Sequence, residues 1–235
     1  MKKIVFIGDI HGRDQWKTIL DREVPDFTIF LGDYVSTHEN ILSEEQIQNM
    51  EEILGLKESH RDSVVLLRGN HDLQHLGYWW AECSGLYQHV QRHLSLPEMR
   101  ERFLSLTQWV HEMTAGGKKL LCSHAGVSQV WLERSGIGKV EDINLCEPDE
   151  RFGFHPSRFS DHNGDSDTQP CTWIRPKSLA ECAVEGYVHI VGHTPQQSVS
   201  HEQINDRTEL WLVDALAYGV YLVLEDDKFT VKSLY

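Results

Sequence analysis

Apolar positions along the chain fall into two kinds of pattern. Five segments are near-continuous apolar runs closed by glycine: KIVFIGD (3–9), FTIFLGD (27–33), SVVLLRGN (63–70), KLLCSHAG (119–126) and YVHIVGH (187–193). A run without polar alternation suits a strand covered on both faces. Between these runs lie segments with apolar residues at helical spacing. ILSEEQIQNMEEILGLKES (41–59) places Ile41, Ile47, Met50, Ile53 and Leu54 in this way, with Ser43 as the expected N-cap and Gln46 at the capping-box position. LPEMRERFLSLTQWVHEM (96–113) predicts a second helix, with Pro97 near its start. Strand and helix in alternation predict an α/β layered fold. The last stretch, ELWLVDALAYGVYLVLEDDKFTVKSLY, carries apolar runs split by the turn EDDK and predicts antiparallel strands.

Two regions break this rhythm. Residues 73–95 carry Tyr78, Trp79, Trp80 and Tyr87 and predict a small helical insertion in which both tryptophans pack. Residues 136–182 include FGFHPSRFSDHNGDSDTQPCTWIRP, irregular and polar, which predicts a surface loop or lid. No repeat, low-complexity tract or compositional boundary divides the 235 residues, so a single domain spanning 1–235 is expected.

Composition narrows the classes. With 40 % hydrophobic and 25 % charged residues the chain reads as soluble and globular, and its net charge of −14 opposes nucleic-acid and anionic-membrane partners. No apolar run reaches the roughly 18 residues of a membrane helix. The short run in MKKIVFIGD is broken by Asp9 and reads as a first strand, not a signal peptide. Cys83, Cys122, Cys146, Cys171 and Cys182 are odd in number and lack CxxC spacing, which predicts a reducing, cytoplasmic setting and a core role for Cys122. Fourteen histidines direct attention to metal ligands.

The glycine-ended strands deliver such ligands to one sheet edge. They supply Asp9 and His11 (GDIHG), Asp33 (GDY), Asn70 and His71 (GNHD), His124 (SHAG) and His193 (GHTP). In an α/β sheet the carboxyl ends of the strands face the ligand crevice, so residues distant in sequence converge there. Two carboxylates, an amide oxygen and three imidazoles, without thiolate, suit Mn, Fe, Zn, Co or Ni. Six ligands exceed one tetrahedral ion and fit two ions sharing a carboxylate, the arrangement that clamps a phosphoryl group and activates water. His71, beside Asn70, would have its ring free to protonate a leaving oxygen. His75, His89, His93, His111 and His189 lie within helices or a strand and are expected to be surface or core residues. No GxxxxGK[ST] segment is present, which argues against a P-loop hydrolase.

GDIHG, GDYV, RGNHD, SHAG and GHT, in that order, resemble the calcineurin-like metallophosphoesterase superfamily. The closer resemblance is to its phosphoprotein-phosphatase branch, with its bacterial and phage serine/threonine phosphatases and diadenosine tetraphosphatases. VDALAYG (213–219) is similar to that branch's closing segment, and Pro195 stands where the wider superfamily has a further histidine. The resemblance implies a β-sandwich flanked by helices in α/β/β/α layers, two divalent ions with Mn foremost, a phosphorylated substrate, and hydrolysis without a phosphoenzyme. It also implies that Asp9 and His11 hold the first ion, Asp33 bridges, and Asn70, His124 and His193 hold the second. His71 would be the general acid, with Arg68 supporting the site.

One motif departs from the branch. Ser36, Thr37 and His38 stand where the branch reads Asp-Arg-Gly. That aspartate orients the acid histidine, and that arginine grips phosphate. Arg175 of TWIRP, or His38, is expected to supply the charge instead. The expected activity is phosphomonoester hydrolysis, for example of phosphoserine or phosphothreonine. The alternatives are hydrolysis of nucleotides or diadenosine polyphosphates, and a binding module without turnover.

Overall fold

Strands and helices alternate along the residues that the computed structural model describes, 2–37, 39–155 and 165–235. Its strands are β1 (Ile4–Ile7), β2 (Phe27–Phe30), β3 (Val64–Leu66), β4 (Val110–Ala115), β5 (Lys118–Ser123), β6 (Val188–Val191), β7 (Ser200–Asn205), β8 (Thr208–Leu212), β9 (Val220–Glu225) and β10 (Lys228–Ser233). Its helices are α1 (Gln15–Glu23), α2 (Ser43–Ser59), α3 (Asn70–His75), α4 (Gln88–Leu94), α5 (Pro97–Leu106), α6 (Gln129–Ser135) and α7 (Pro176–Cys182). Among the described residues the strands form two five-stranded sheets, ordered β10-β9-β1-β2-β3 and β4-β5-β6-β8-β7. The strands that carry the motifs run parallel within each sheet, and antiparallel strands close the edges.

The apolar runs are continuous because both faces of these strands are buried. Ile4, Phe6, Ile29 and Leu31 face Leu120, Cys122, Val188 and Ile190 of the second sheet. Their neighbours Val5, Ile7 and Phe30 face Trp16 and Ile19 of α1 and Met50, Ile53 and Leu54 of α2. On the far side Leu179 of α7 packs on Val191 and Leu210. This is the α/β/β/α layering expected, and each buried aliphatic side chain contributes about 1.5–3 kcal/mol to it. Among the described residues no helix is long and apolar enough to cross a membrane.

Several local expectations are corrected. The helix expected over 96–113 stops at Leu106, and Val110–Ala115 instead forms β4, paired antiparallel with β5. The cause is the Gly116-Gly117 turn, both residues at positive φ, which folds β4 back onto β5. Helix α2 is capped from Leu42, whose N–H donates to the Glu45 carboxylate at 2.9 Å, and Ser43 lies inside the first turn. Gln46 is buried and instead accepts from the Ser36 N–H at 2.9 Å. Trp79 does not pack; it is 78 % exposed, while Trp80 rests on Tyr78. The 136–182 region is not wholly a surface loop. Phe152 is buried and stacks on Trp109 at 3.7 Å, and Ile143, Cys171 and Ile174 are buried too. Residues 156–164 of that region lie outside the described residues. Strand β7, with the polar sequence SHEQIN, is an addition that apolar patterning does not reveal.

One buried carboxylate ties α1 to the sheet edge. Glu23 is 5 % exposed and accepts from the Tyr221 hydroxyl at 2.7 Å and from Lys232 Nζ at 2.6 Å. Burial alone would raise its pKa, but these bonds and Lys3 hold it below the usual value. A depressed carboxylate pKa contributes stability above the unfolded pKa of about 4.3 and loses it as pH falls through the folded value. Glu23→Gln is therefore expected to lower unfolding free energy by roughly 1.5–3 kcal/mol at pH 7. The gap to wild type should narrow steadily as pH falls below about 4.3 and through the folded value, as read by denaturant titration at pH 7 and at successively lower pH.

Candidate functional site

The loops after β1, β2, β5 and β6 and the start of α3 meet at one edge of the two sheets. His11 (φ 47), Asp33 (φ 50) and His193 (φ 62) all adopt left-handed backbone. Such strain in residues other than glycine gathers at functional sites. His11 N donates to Asp33 O at 2.7 Å and Gly12 N to Tyr34 O at 2.9 Å, so the first two loops are laced together. Glycine lets the remaining loops approach. A Cβ on Gly69 would sit 2.0 Å from Asp33 Oδ1, and one on Gly192 would sit 2.2 Å from Asp9 Oδ1.

The six expected ligands converge. Asp33 Oδ2 lies 3.9 Å from His11 Nε2 and 3.4 Å from His124 Nε2, and His124 Nε2 is 3.0 Å from Asn70 Oδ1. Two groups have donor atoms within 4.8 Å of one another, Asp9/His11/Asp33 and Asp33/His124/His193, and they share Asp33. The other oxygen of Asp33 accepts from the His71 N–H at 2.9 Å, which fixes the carboxylate's orientation. Asp9 likewise accepts from the His193 N–H at 3.0 Å.

Each imidazole is tethered at one nitrogen by a backbone carbonyl. His11 Nδ1 meets Val35 O at 3.1 Å, His124 Nδ1 meets Leu31 O at 2.8 Å, and His193 Nε2 meets Trp173 O at 3.1 Å. A ring held this way has its tautomer set and offers the other nitrogen as a ligand. Oriented imidazoles, two carboxylates and an amide oxygen without thiolate fit borderline divalent cations.

Charge in the centre is balanced internally. Burial pushes Asp9 well above the usual carboxylate range, and Asp214 adds to the rise. Burial alone would raise Asp33 too, but His124, His71 and His11 hold it well below that range. Burial opposes the His124 charge, yet Asp33 and Asp9 raise its pKa to about 10. Burial lowers His193 strongly, with His124 and Arg175 adding. Buried carboxylates of this kind need a proton or a cation as partner.

A cleft of about 250 Å³ opens over these residues. His71 lines it, edge-on to His11 at 5.3 Å between ring centres, with Nδ1 3.6 Å from Cys83 Sγ. Burial pushes the His71 imidazole down to about 4, against the upward pull of Asp33. Arg175 also lines the cleft and donates through Nη1 to His193 O at 2.9 Å and Thr194 Oγ1 at 3.1 Å. Its backbone is extended ahead of Pro176, as proline requires.

Arg68 is placed elsewhere, which corrects its expected support of the site. Its guanidinium donates to Leu104 O at 2.8 Å and Thr107 O at 2.7 Å and lies over Trp109. It satisfies carbonyls at the C-terminus of α5, a role that a buried arginine fills well. His38 lies outside the described residues. Thr37 Oγ1 accepts from the Glu39 N–H at 2.9 Å, and Ser36 Oγ donates to Gly85 O at 2.8 Å. Among the described residues Asp72 makes no hydrogen bond to the His71 ring. It is fully buried and accepts from the N–H groups of Asp33, Tyr34 and Gly69 at 2.8–2.9 Å, holding the Asp33 loop against α3. Of the other histidines, His75 and His189 are buried and bonded within the scaffold.

Cleft residues outside the expected site set include Arg13, Cys83, Trp173 and Asp214. Arg13 directly follows GDIHG, and Asp214 opens DALAYG, so position in the motif was a usable signal for both. Arg13 donates to the Glu39 carboxylate at 2.6 Å and approaches Asp9 O at 3.4 Å. Cys83 had no such signal, since the segment around it matches no motif.

Comparison with known proteins agrees with this fold. The cold-active protein-tyrosine phosphatase of the psychrophile Shewanella sp. superposes on all of this chain and 81 % of its own, with TM-score 0.63 and 19 % identity. A Saccharomyces cerevisiae protein serine/threonine phosphatase with similarity to human phosphatase PP5 covers 99 % of this chain and 79 % of its own, with TM-score 0.58 and 14 % identity. At these identities the likeness establishes the shared fold. Residues 2–214 match the family model for calcineurin-like phosphoesterases. With that match spanning most of its length, the chain belongs to the calcineurin-like phosphoesterase family and is a hydrolase of metal-dependent type.

Proposed function

We propose that this chain acts as a single domain and hydrolyses phosphate monoesters with two divalent ions, Mn²⁺ foremost. Asp9, His11 and Asp33 would hold one ion, and Asp33, Asn70, His124 and His193 the other. The observation that carries this reading is Asp33 Oδ2, aimed at His11 on one side and His124 on the other. When bound, the ions would neutralise phosphoryl oxygens and lower the pKa of an attacking water.

The protein's own groups do the rest. Arg175, braced against the cleft wall by His193 O and Thr194, brings a guanidinium charge to the cleft, a group that pairs well with phosphate oxygens. That supplies charge where Thr37 replaces arginine. His71 passes a proton to the leaving oxygen, and a phosphate dianion beside the ring favours its charged form. A cleft of about 250 Å³ suits a phosphoryl group whose alcohol projects outward better than an enclosed nucleotide. Five free cysteines suit a reducing compartment such as the cytoplasm.

Removal of metal by a chelator should reduce aryl phosphate hydrolysis to background, and Mn²⁺ should restore it. Across a panel, phosphopeptides and small phosphomonoesters should exceed nucleotides and diadenosine polyphosphates by about tenfold in kcat/KM. Full activity in the metal-free protein would overturn the reading.

A further inference from the structure

In the resembled branch an aspartate stands beside the acid histidine, and Ser36 occupies that position here. The Ser36 hydroxyl is committed to Gly85 O at 2.8 Å. Gly85 belongs to a segment, residues 83–87, that is pinned by three further bonds. Tyr87 OH donates to Thr37 O at 2.6 Å, Tyr87 N to His75 Nε2 at 3.1 Å, and Gln74 Nε2 to Cys83 O at 2.6 Å. The Ser36 side chain and the Thr37 backbone carbonyl, at the positions of the Asp-Arg pair, thus anchor the segment that carries Cys83 into the cleft.

Cys83 Sγ lies 3.6 Å from His71 Nδ1 and 2.9 Å from Gln74 Oε1. The glutamine's orientation is set, because its Nε2 donates to the Cys83 carbonyl. Its Oε1 accepts only, so the thiol proton points to Gln74. A sulfur lone pair is then left to face His71 Nδ1, an arrangement that favours the tautomer with hydrogen on Nδ1. We propose that Cys83, clasped by Gln74, is the positioning residue for His71, doing with a neutral thiol what the branch does with a carboxylate.

The consequence is a defined proton path. With Nδ1–H held by sulfur, the proton exchanged is the one on Nε2. The charged ring gives that proton to the leaving oxygen and becomes the neutral Nδ1–H tautomer. Solvent then returns a proton to Nε2. The thiol neither ionises nor forms a bond.

This inference rests on His71 as the acid, and one experiment separates the two ideas. Turnover of an activated aryl phosphate and of an alkyl phosphate is measured for wild type, His71→Asn, Cys83→Ala, Cys83→Ser and the His71→Asn/Cys83→Ala double variant, with metal content and KM for each. An acid acts on the leaving group, so His71→Asn should slow the alkyl ester about a hundredfold more than the aryl ester. Cys83→Ala should lose about tenfold more on the alkyl than on the aryl ester, in kcat and with metal retained. Cys83→Ser, which keeps a donor and an acceptor, should recover most of that loss. Cys83→Ala should add no further alkyl-selective loss to His71→Asn. Equal losses on both esters in His71→Asn would overturn the acid role, and the positioning role with it. A selective His71→Asn with an unselective or silent Cys83→Ala would overturn the positioning role alone.

Discussion

Asp33→Asn is expected to lower kcat by roughly 10³ or more and to lose bound metal at the same time. Asp33 Oδ1 is committed to the His71 N–H, and Oδ2 faces His11 and His124. An asparagine must place its NH₂ at one of these positions. Facing the His71 N–H it sets donor against donor; facing the imidazoles it offers no lone pair to a cation. It also removes the negative charge that His124, His71 and His11 surround. Elemental analysis for metal and kcat on an aryl phosphate check both effects. Asp149→Asn is the control, because that carboxylate pairs with Arg151 away from the cleft. Near-normal turnover with two ions bound would refute the bridging role of Asp33.

Gly69→Ala should come second, with kcat and metal affinity each falling by about a hundredfold. The backbone there has φ −98, which alanine adopts freely, so the cost is steric. The new methyl would lie 2.0 Å from Asp33 Oδ1 and 2.6 Å from Asp33 N. Asp33 has no route of retreat, since its N–H is bonded to Asp72, which also accepts from Gly69 N. Overpacking of this kind also costs about 1–3 kcal/mol of stability. Gly55→Ala is the counterpart: within α2, with nothing inside 4 Å of its Cβ, it should be neutral to stabilising by about 0.5–1 kcal/mol. Wild-type metal binding in Gly69→Ala would mean that the Asp33 loop yields more readily than its bonds suggest.

The two substitutions mark what sequence patterning reaches and what it does not. Asp9, Asp33 and His193 were legible because each follows an apolar run and a glycine, and His124 because it ends such a run two residues before one; sheet topology gathers these ends together. Both-sided burial was legible for the same reason, from runs without polar alternation. Val110–Ala115 was harder, since Leu106, Trp109, Val110 and Met113 also fit helical spacing; Gly116-Gly117 was the distinguishing sign. Arg68 was misplaced because its side chain answers to carbonyls at Leu104 and Thr107, brought near only by the packing of α5. Cys83 was invisible for a related reason. Its neighbourhood with His71 depends on Ser36, Thr37 and Tyr87 meeting across the fold, which local spacing does not encode.

The carbonyl tethers of the imidazoles also matter for how the two halves of the fold hold together. His11 and Asp33 stand on loops of the first sheet, and His124 and His193 on loops of the second. The tether of His124 crosses from one sheet to the other, since Leu31 follows β2. A cation shared by these residues would be a rivet through both layers at their catalytic edge. Its binding energy would add to the cohesion of the sandwich, by an amount that grows with the logarithm of free metal. Availability of the ion would then govern how long the folded protein persists as well as how fast it turns over.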